Sequence, residues 1–186
     1  MSVKTWLVIA VILFALGIVW GLSTSAGTSG AFSGETNALQ QLAEFIAGLP
    51  VGLMFGFILL KNISAVLLSF VLSPFFLIMP ILSLVINGWL VGAVANTVVA
   101  EHSVGYLLVG ILPHGVFELP GLFIGEAAAL SFGVAAMRAV IDRSGRGQLT
   151  ATLKTSLKYL AISVLLFLPA ALMETFVTPV LLKRFG

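Results

Sequence analysis

The sequence predicts an all-α polytopic transmembrane helical bundle of about five spans, with a re-entrant segment and an outer interfacial helix, as a single integral membrane domain over residues 1–186. Composition, run length and periodicity predict it. Of the 186 residues 60% are hydrophobic and only 9% are charged, too few polar groups to cover a soluble domain of this size. Several apolar runs reach the length of about 20 residues that carries a helix across a bilayer core. Period-two alternation is absent, which excludes a transmembrane barrel. The chain has no cysteine, so disulfides, thiolate metal sites and cysteine nucleophiles are excluded. The formal net charge of +2 rests on few groups and reads as a topology signal; no nucleic-acid partner is expected.

The first span, residues 5–22, follows a single Lys4 and exceeds the roughly 7 to 15 apolar residues of a signal peptide. It is read as a retained helix with its N-terminus in the cytoplasm. Gly, Ser and Thr dominate residues 21–34, and Lys and Arg are missing from there until Lys61, the mark of an external loop. Residues 35–49 turn amphipathic, with Leu39, Leu42, Phe45 and Ile46 at helical spacing and Gln40, Gln41 and Glu44 elsewhere on the wheel. This predicts a short helix in the outer interface. Pro50 opens the second span, residues 51–72, which carries Lys61 and Asn62 near its centre. After Ser73-Pro74 the third span covers residues 75–99, with Pro80 expected to kink it and Asn87-Gly88 in its middle.

Residues 104–141 form an apolar segment nearly twice one span. Either it crosses twice, or a re-entrant piece at 105–112 leads into one crossing that starts near Pro113. Arg138, Arg143, Arg146, Lys154 and Lys158 gather at its end, and the positive-inside rule places them in the cytoplasm. Three earlier spans leave the chain outside at Glu101, so one crossing after a re-entrant segment is expected. The last span, residues 159–182, then runs outward, with Lys183 and Arg184 against the rule. Glycines four apart (Gly17/Gly21, Gly48/Gly52/Gly56, Gly88/Gly92, Gly121/Gly125) predict close helix contacts.

Polar groups at membrane depth need partners. In Pro113-His114-Gly115-Val116-Phe117-Glu118-Leu119-Pro120, His114 and Glu118 lie one helical turn apart on one face. Asn62, Asn87 and Glu174 fall at compatible depths, so one polar cluster is expected. In one reading His114 is the nitrogen ligand and Glu118 and Glu174 the oxygen ligands of a divalent metal, zinc first. In the other, the same groups form a buried hydrogen-bond network bridged by the Asn amides; a transported-proton role is a third option. Lys61 is a candidate counter-ion to Glu118 or Glu174. Glu126 lies about 80° off the Glu118 face and is expected to line a cavity or subunit contact, not to act as a ligand.

Three stretches carry a further signal: Lys61-Asn62 with the apolar run to Asn87-Gly88-Trp89-Leu90-Val91-Gly92, the motif from Pro113 to Pro120, and Ala170-Ala171-Leu172-Met173-Glu174-Thr175-Phe176-Val177-Thr178-Pro179. In order and spacing they resemble the stage II sporulation protein M family of integral membrane proteins. Lys61 stands where that family usually carries a second Asn. The resemblance implies five spans and, from members in sporulating bacteria, a scaffold for cell-wall hydrolases with no catalysis of its own. Compact relatives occur in organisms that do not sporulate, so the process is not carried over.

The function expected is a non-enzymatic membrane scaffold or assembly protein. Its expected partners are the lipid bilayer, further copies of itself and other membrane or cell-envelope proteins. An ion or small-solute transporter or channel is the first alternative. An intramembrane metallohydrolase using a metal-bound water is the second.

Overall fold

Backbone groups in lipid must be satisfied within their own segment, and each apolar run does so as a helix. The computed structural model describes residues 3–23, 48–75, 77–142 and 146–185. Helix α1 covers Val3–Ser23, α2 Val51–Leu72, α3 Ile78–Glu101 and α4 Val104–Ile141. Helix α5 covers Arg146–Leu172 and passes through a π-helical turn, Met173–Val177, into α6, Thr178–Phe185. Among the described residues five helical stretches are long and apolar enough to cross a membrane, the last being Arg146–Phe185 as a whole. The outer interfacial helix expected at 35–49 lies, but for its last two residues, outside the described residues.

The helix ends follow from local chemistry. Pro50 precedes α2, and its carbonyl accepts from the amides of Leu53 and Met54 at 2.8 and 3.0 Å. Ser103 caps α4, its Oγ accepting from the Tyr106 amide at 3.1 Å. Pro80 was expected to kink its span; α3 begins at Ile78, so Pro80 sits in the first turn, where a missing N–H removes no intrahelical bond.

The re-entrant segment expected at 105–112 is not formed: Val104–Ile141 is one helix of 38 residues with Pro113 and Pro120 inside it. Its length is about 57 Å, well beyond a hydrocarbon core of about 30 Å. Each proline leaves one carbonyl, that of Val109 or Val116, without its helical donor. Membrane helices tolerate this when neighbouring segments pack around the break, and here α5, the π-turn and α6 run alongside.

Helix α4 is the centre of the bundle. On one side Leu122, Ala127 and Leu130 join Trp6, Ala10 and Phe14 of α1 and Leu84 of α3. On the other, Ala128 and Ala129 join Val66 and Phe70 of α2 and Leu160 and Phe167 of α5. Phe14 meets Phe123 edge to face at 5.2 Å, and Phe70 stacks on Phe132 at 4.9 Å.

Helices α1 and α3 run parallel and touch backbone to backbone. A Cβ on Gly88 would strike the Phe14 carbonyl, one on Gly92 the Ile18 carbonyl, one on Gly17 the Val85 carbonyl and one on Gly21 the Trp89 carbonyl. Gly121 of α4 admits the side chain of Phe167 of α5, and Gly125 those of Val66 of α2 and Ser163 of α5, whereas Gly52 and Gly56 meet nothing within 4 Å among the described residues.

The turn between α2 and α3 contains Leu77 at φ 59°, a left-handed conformation that costs a side-chain-bearing residue about 1–2 kcal/mol. Its side chain and the Ser73 carbonyl occupy the space that a Cβ on Gly133 would take. That packing holds the turn against α4. The same end of the bundle brings Trp6 of α1 together with Arg138, Gln148 and Thr152. The N-terminus of α1, the α2–α3 turn and the α4–α5 connection therefore share one end, and residues 23, 50, 102 and 185 share the other.

Candidate functional site

The antiparallel α4–α5 hairpin sets the site. Gly121 lies against Phe167, and Gly110 lies 3.8 Å from Leu182, measured from a Cβ built on the glycine. That register brings residues 114–118 alongside 172–176, so the π-turn carrying Glu174 faces the His114/Glu118 stretch. Glu174 is within electrostatic reach of Glu118, His114 and Lys61. Four ionisable groups from three segments thus form one cluster in the half of the bundle away from the Trp6/Arg138 end.

Within it, His114 Nε2 stands 3.9 Å from Glu118 Oε2, with side-chain exposures of 20% and 24%. That distance is too long for a hydrogen bond and makes an ion pair only when His114 is protonated. Lys61 is exposed on the outer face of α2, while its neighbour Asn62 turns inward at 8% exposure. Among the described residues, His114 Nδ1 and Thr175 Oγ1 are buried side-chain atoms with no hydrogen-bond partner.

The π-turn has a visible cause. Pro179 has no N–H to give the Thr175 carbonyl, and one extra residue is accommodated just before it. The Thr178 amide bonds to the Met173 carbonyl five residues back, and Thr178 Oγ1 donates to that carbonyl at 3.2 Å. Single π-turns recur at functional sites because they reorient a side chain within a helix. Here the reoriented stretch holds Glu174 and Thr175.

The structure divides the polar groups that the sequence placed together. Asn87 Nδ2 donates to the Ser83 carbonyl at 2.8 Å on its own helix, and Ser83 Oγ donates to Glu126 Oε1 at 2.6 Å. Ser69 Oγ of α2 donates to the other carboxylate oxygen of Glu126. Glu126 is fully buried, two turns further along α4 than Glu118. Asn87 thus bonds to the backbone of its own helix, while Glu126, Ser69 and Ser83 form a separate inner set. Sequence reasoning passed over Glu126 as a polar centre, although serines in the apolar runs of α2 and α3 and the Gly125-Glu126-Ala127-Ala128-Ala129 context were the available signal.

Among the described residues no three His, Cys, Asp or Glu side chains are gathered closely enough to hold a metal ion. In this conformation His114, Glu118 and Glu174 are an electrostatic cluster and not an assembled ligand set.

Residues 10–179 match the family model described as Stage II sporulation protein M. An uncharacterized protein of Methanocaldococcus jannaschii is 25% identical over 177 residues, covering 95% of this chain and 95% of its own length. A second uncharacterized protein of the same organism is 27% identical over 120 residues, covering 63% of this chain and 52% of its own length. No solved structure gives a significant match.

Proposed function

The chain belongs to the Stage II sporulation protein M family, and on that premise we propose that it is a non-enzymatic membrane scaffold that docks other membrane-embedded segments, further copies of itself first, through its outer polar cluster. One observation carries this reading: Lys61 is exposed, and His114 and Glu118 are a fifth to a quarter exposed, on the flank of a multi-pass membrane protein. Charged groups at that depth are costly against lipid. A partner helix with complementary polar groups removes the cost. The N-terminus is proposed to be cytoplasmic, because it shares an end with Arg138, Arg146 and Lys154.

The test is co-purification of two differently tagged copies from the same membrane, wild type against Glu118→Gln/Glu174→Gln. The double variant is expected to lose pairing while keeping its melting temperature in detergent within a few degrees. Pairing at the wild-type level, or ion flux in proteoliposomes that depends on Glu118 or Glu174, overturns the reading.

A second reading is favoured by the unpartnered His114 Nδ1 beside two carboxylates: a divalent cation, zinc first, held by His114, Glu118 and Glu174 once these draw together. Stoichiometric metal in the purified wild type, lost in His114→Ala, supports it. Metal content unchanged by that substitution removes it.

A further inference from the structure

We propose that the cleft between α1, α4 and α5 at the basic end of the bundle is a phosphate-binding site, suited to the headgroup of an anionic phospholipid. The cleft has a volume of about 80 Å³, room for several waters or one tetrahedral oxyanion. Helix α4 contributes Ser131 and Arg138, seven residues apart on one face, and α5 contributes Gln148 and Thr152, one turn apart. Trp6 of α1 closes the side towards the bundle.

The chemistry of the lining selects an anion. A guanidinium fork matches phosphate oxygens two at a time, and the carboxamide and two hydroxyls add further donors. Among the described lining residues there is no Asp or Glu to repel the anion; Asp142, one turn beyond Arg138, is not part of the lining. Lys4, Arg146 and Lys154 lie on the same end and raise its positive potential.

Position selects the lipid. Gly133 packs against the α2–α3 turn, where two spans end, and Arg138 lies about 7 Å further along α4, at headgroup level. Trp6 is packed into the bundle core two residues past Lys4, so the cleft opens at the end of α1. Juxtamembrane basic groups draw anionic lipids to such a level.

The experiment uses the full-length protein in phosphatidylcholine nanodiscs, with phosphatidylglycerol mixed into the discs in one arm and inorganic phosphate added to the buffer in another. Thermal unfolding is read in both. The melting temperature is expected to rise with phosphatidylglycerol, and Arg138→Gln is expected to weaken the apparent affinity roughly tenfold or more. Lys158→Gln, a surface charge that does not line the cleft, is expected to leave it unchanged. A rise with inorganic phosphate as well, lost in Arg138→Gln, upholds the site and identifies its ligand as the phosphate group without need of the lipid tails. The proposal is overturned if neither probe stabilises the protein, or if Arg138→Gln and Lys158→Gln reduce the effect equally. Should Arg138→Gln fail to fold, Thr152→Val and Gln148→Leu are judged by the same comparison.

Discussion

Ser83 on α3 donates a 2.6 Å hydrogen bond to Glu126 on α4, and it does so where Glu126 is fully buried. With Ser69 of α2 on the other carboxylate oxygen, one side chain pins three helices. Interhelical hydrogen bonds in membranes are worth about 0.6–2 kcal/mol each, whereas leaving buried partners unsatisfied costs more.

Glu126→Ala is therefore expected to destabilise the protein by about 2–4 kcal/mol, through lost partners and a cavity. Glu126→Gln is expected to cost under about 1 kcal/mol, because an amide offers one acceptor and one donor and a serine hydroxyl can serve either. Ser69→Ala and Ser83→Ala should each cost about 1 kcal/mol. Thermal unfolding in detergent orders the four variants.

The parallel α1–α3 contact leaves no room for a side chain at Gly17, Gly21, Gly88 or Gly92. Gly88→Val is expected to lower stability by about 2–4 kcal/mol. Gly56→Ala, where a Cβ meets nothing within 4 Å among the described residues, is expected to be neutral or to stabilise by up to about 1 kcal/mol through helix propensity. Both are compared by melting temperature in the same detergent.

Glu174 feels one like charge and two attractive groups, Glu118 against His114 and Lys61. Lys61→Glu should lower the melting temperature by placing a third carboxylate in the cluster. Combining it with Glu174→Lys should restore part of the loss. The double-mutant cycle is expected to give a coupling of about 1 kcal/mol; strict additivity would show that Lys61 faces lipid alone.

The chain lacks cysteine, so single-cysteine variants report sidedness on a silent background. Thr150→Cys at the basic end is expected to react with an impermeant maleimide only in inverted vesicles. Ser103→Cys at the opposite end is expected to react in intact cells. The reverse pattern would place the N-terminus outside.

The small-residue spacing illustrates how far pattern carries. Gly17/Gly21 and Gly88/Gly92 do seat a helix each, and Gly121/Gly125 do as well, yet the equally spaced Gly52/Gly56 meets no described neighbour. Spacing states that a face admits close approach, not that a helix comes there. Pro113 and Pro120 mislead in the other direction: they mark where backbone bonds are missing, but α4 continues through both.

What the sequence alone determined is the number of spans, the approximate extent of the first three and the family; the fourth and fifth helices run longer than expected, over Val104–Ile141 and Arg146–Phe185. Hydrophobic length and backbone satisfaction in lipid are properties of each segment by itself, so Val3–Ser23, Val51–Leu72 and Ile78–Glu101 follow from composition and turn residues. Only the tertiary structure decided which polar groups meet. It set Glu174 against His114 and Glu118 through the register of the α4–α5 hairpin and the π-turn before Pro179. It also tied Asn87 to the Ser83 carbonyl of its own helix and gathered Ser69, Ser83 and Glu126 into an inner set. Depth along a helix is readable from residue number, but the direction of a side chain across a bundle depends on how ridges of neighbouring helices interlock. That interlocking is a property of pairs of helices, and it split the polar residues into two sets.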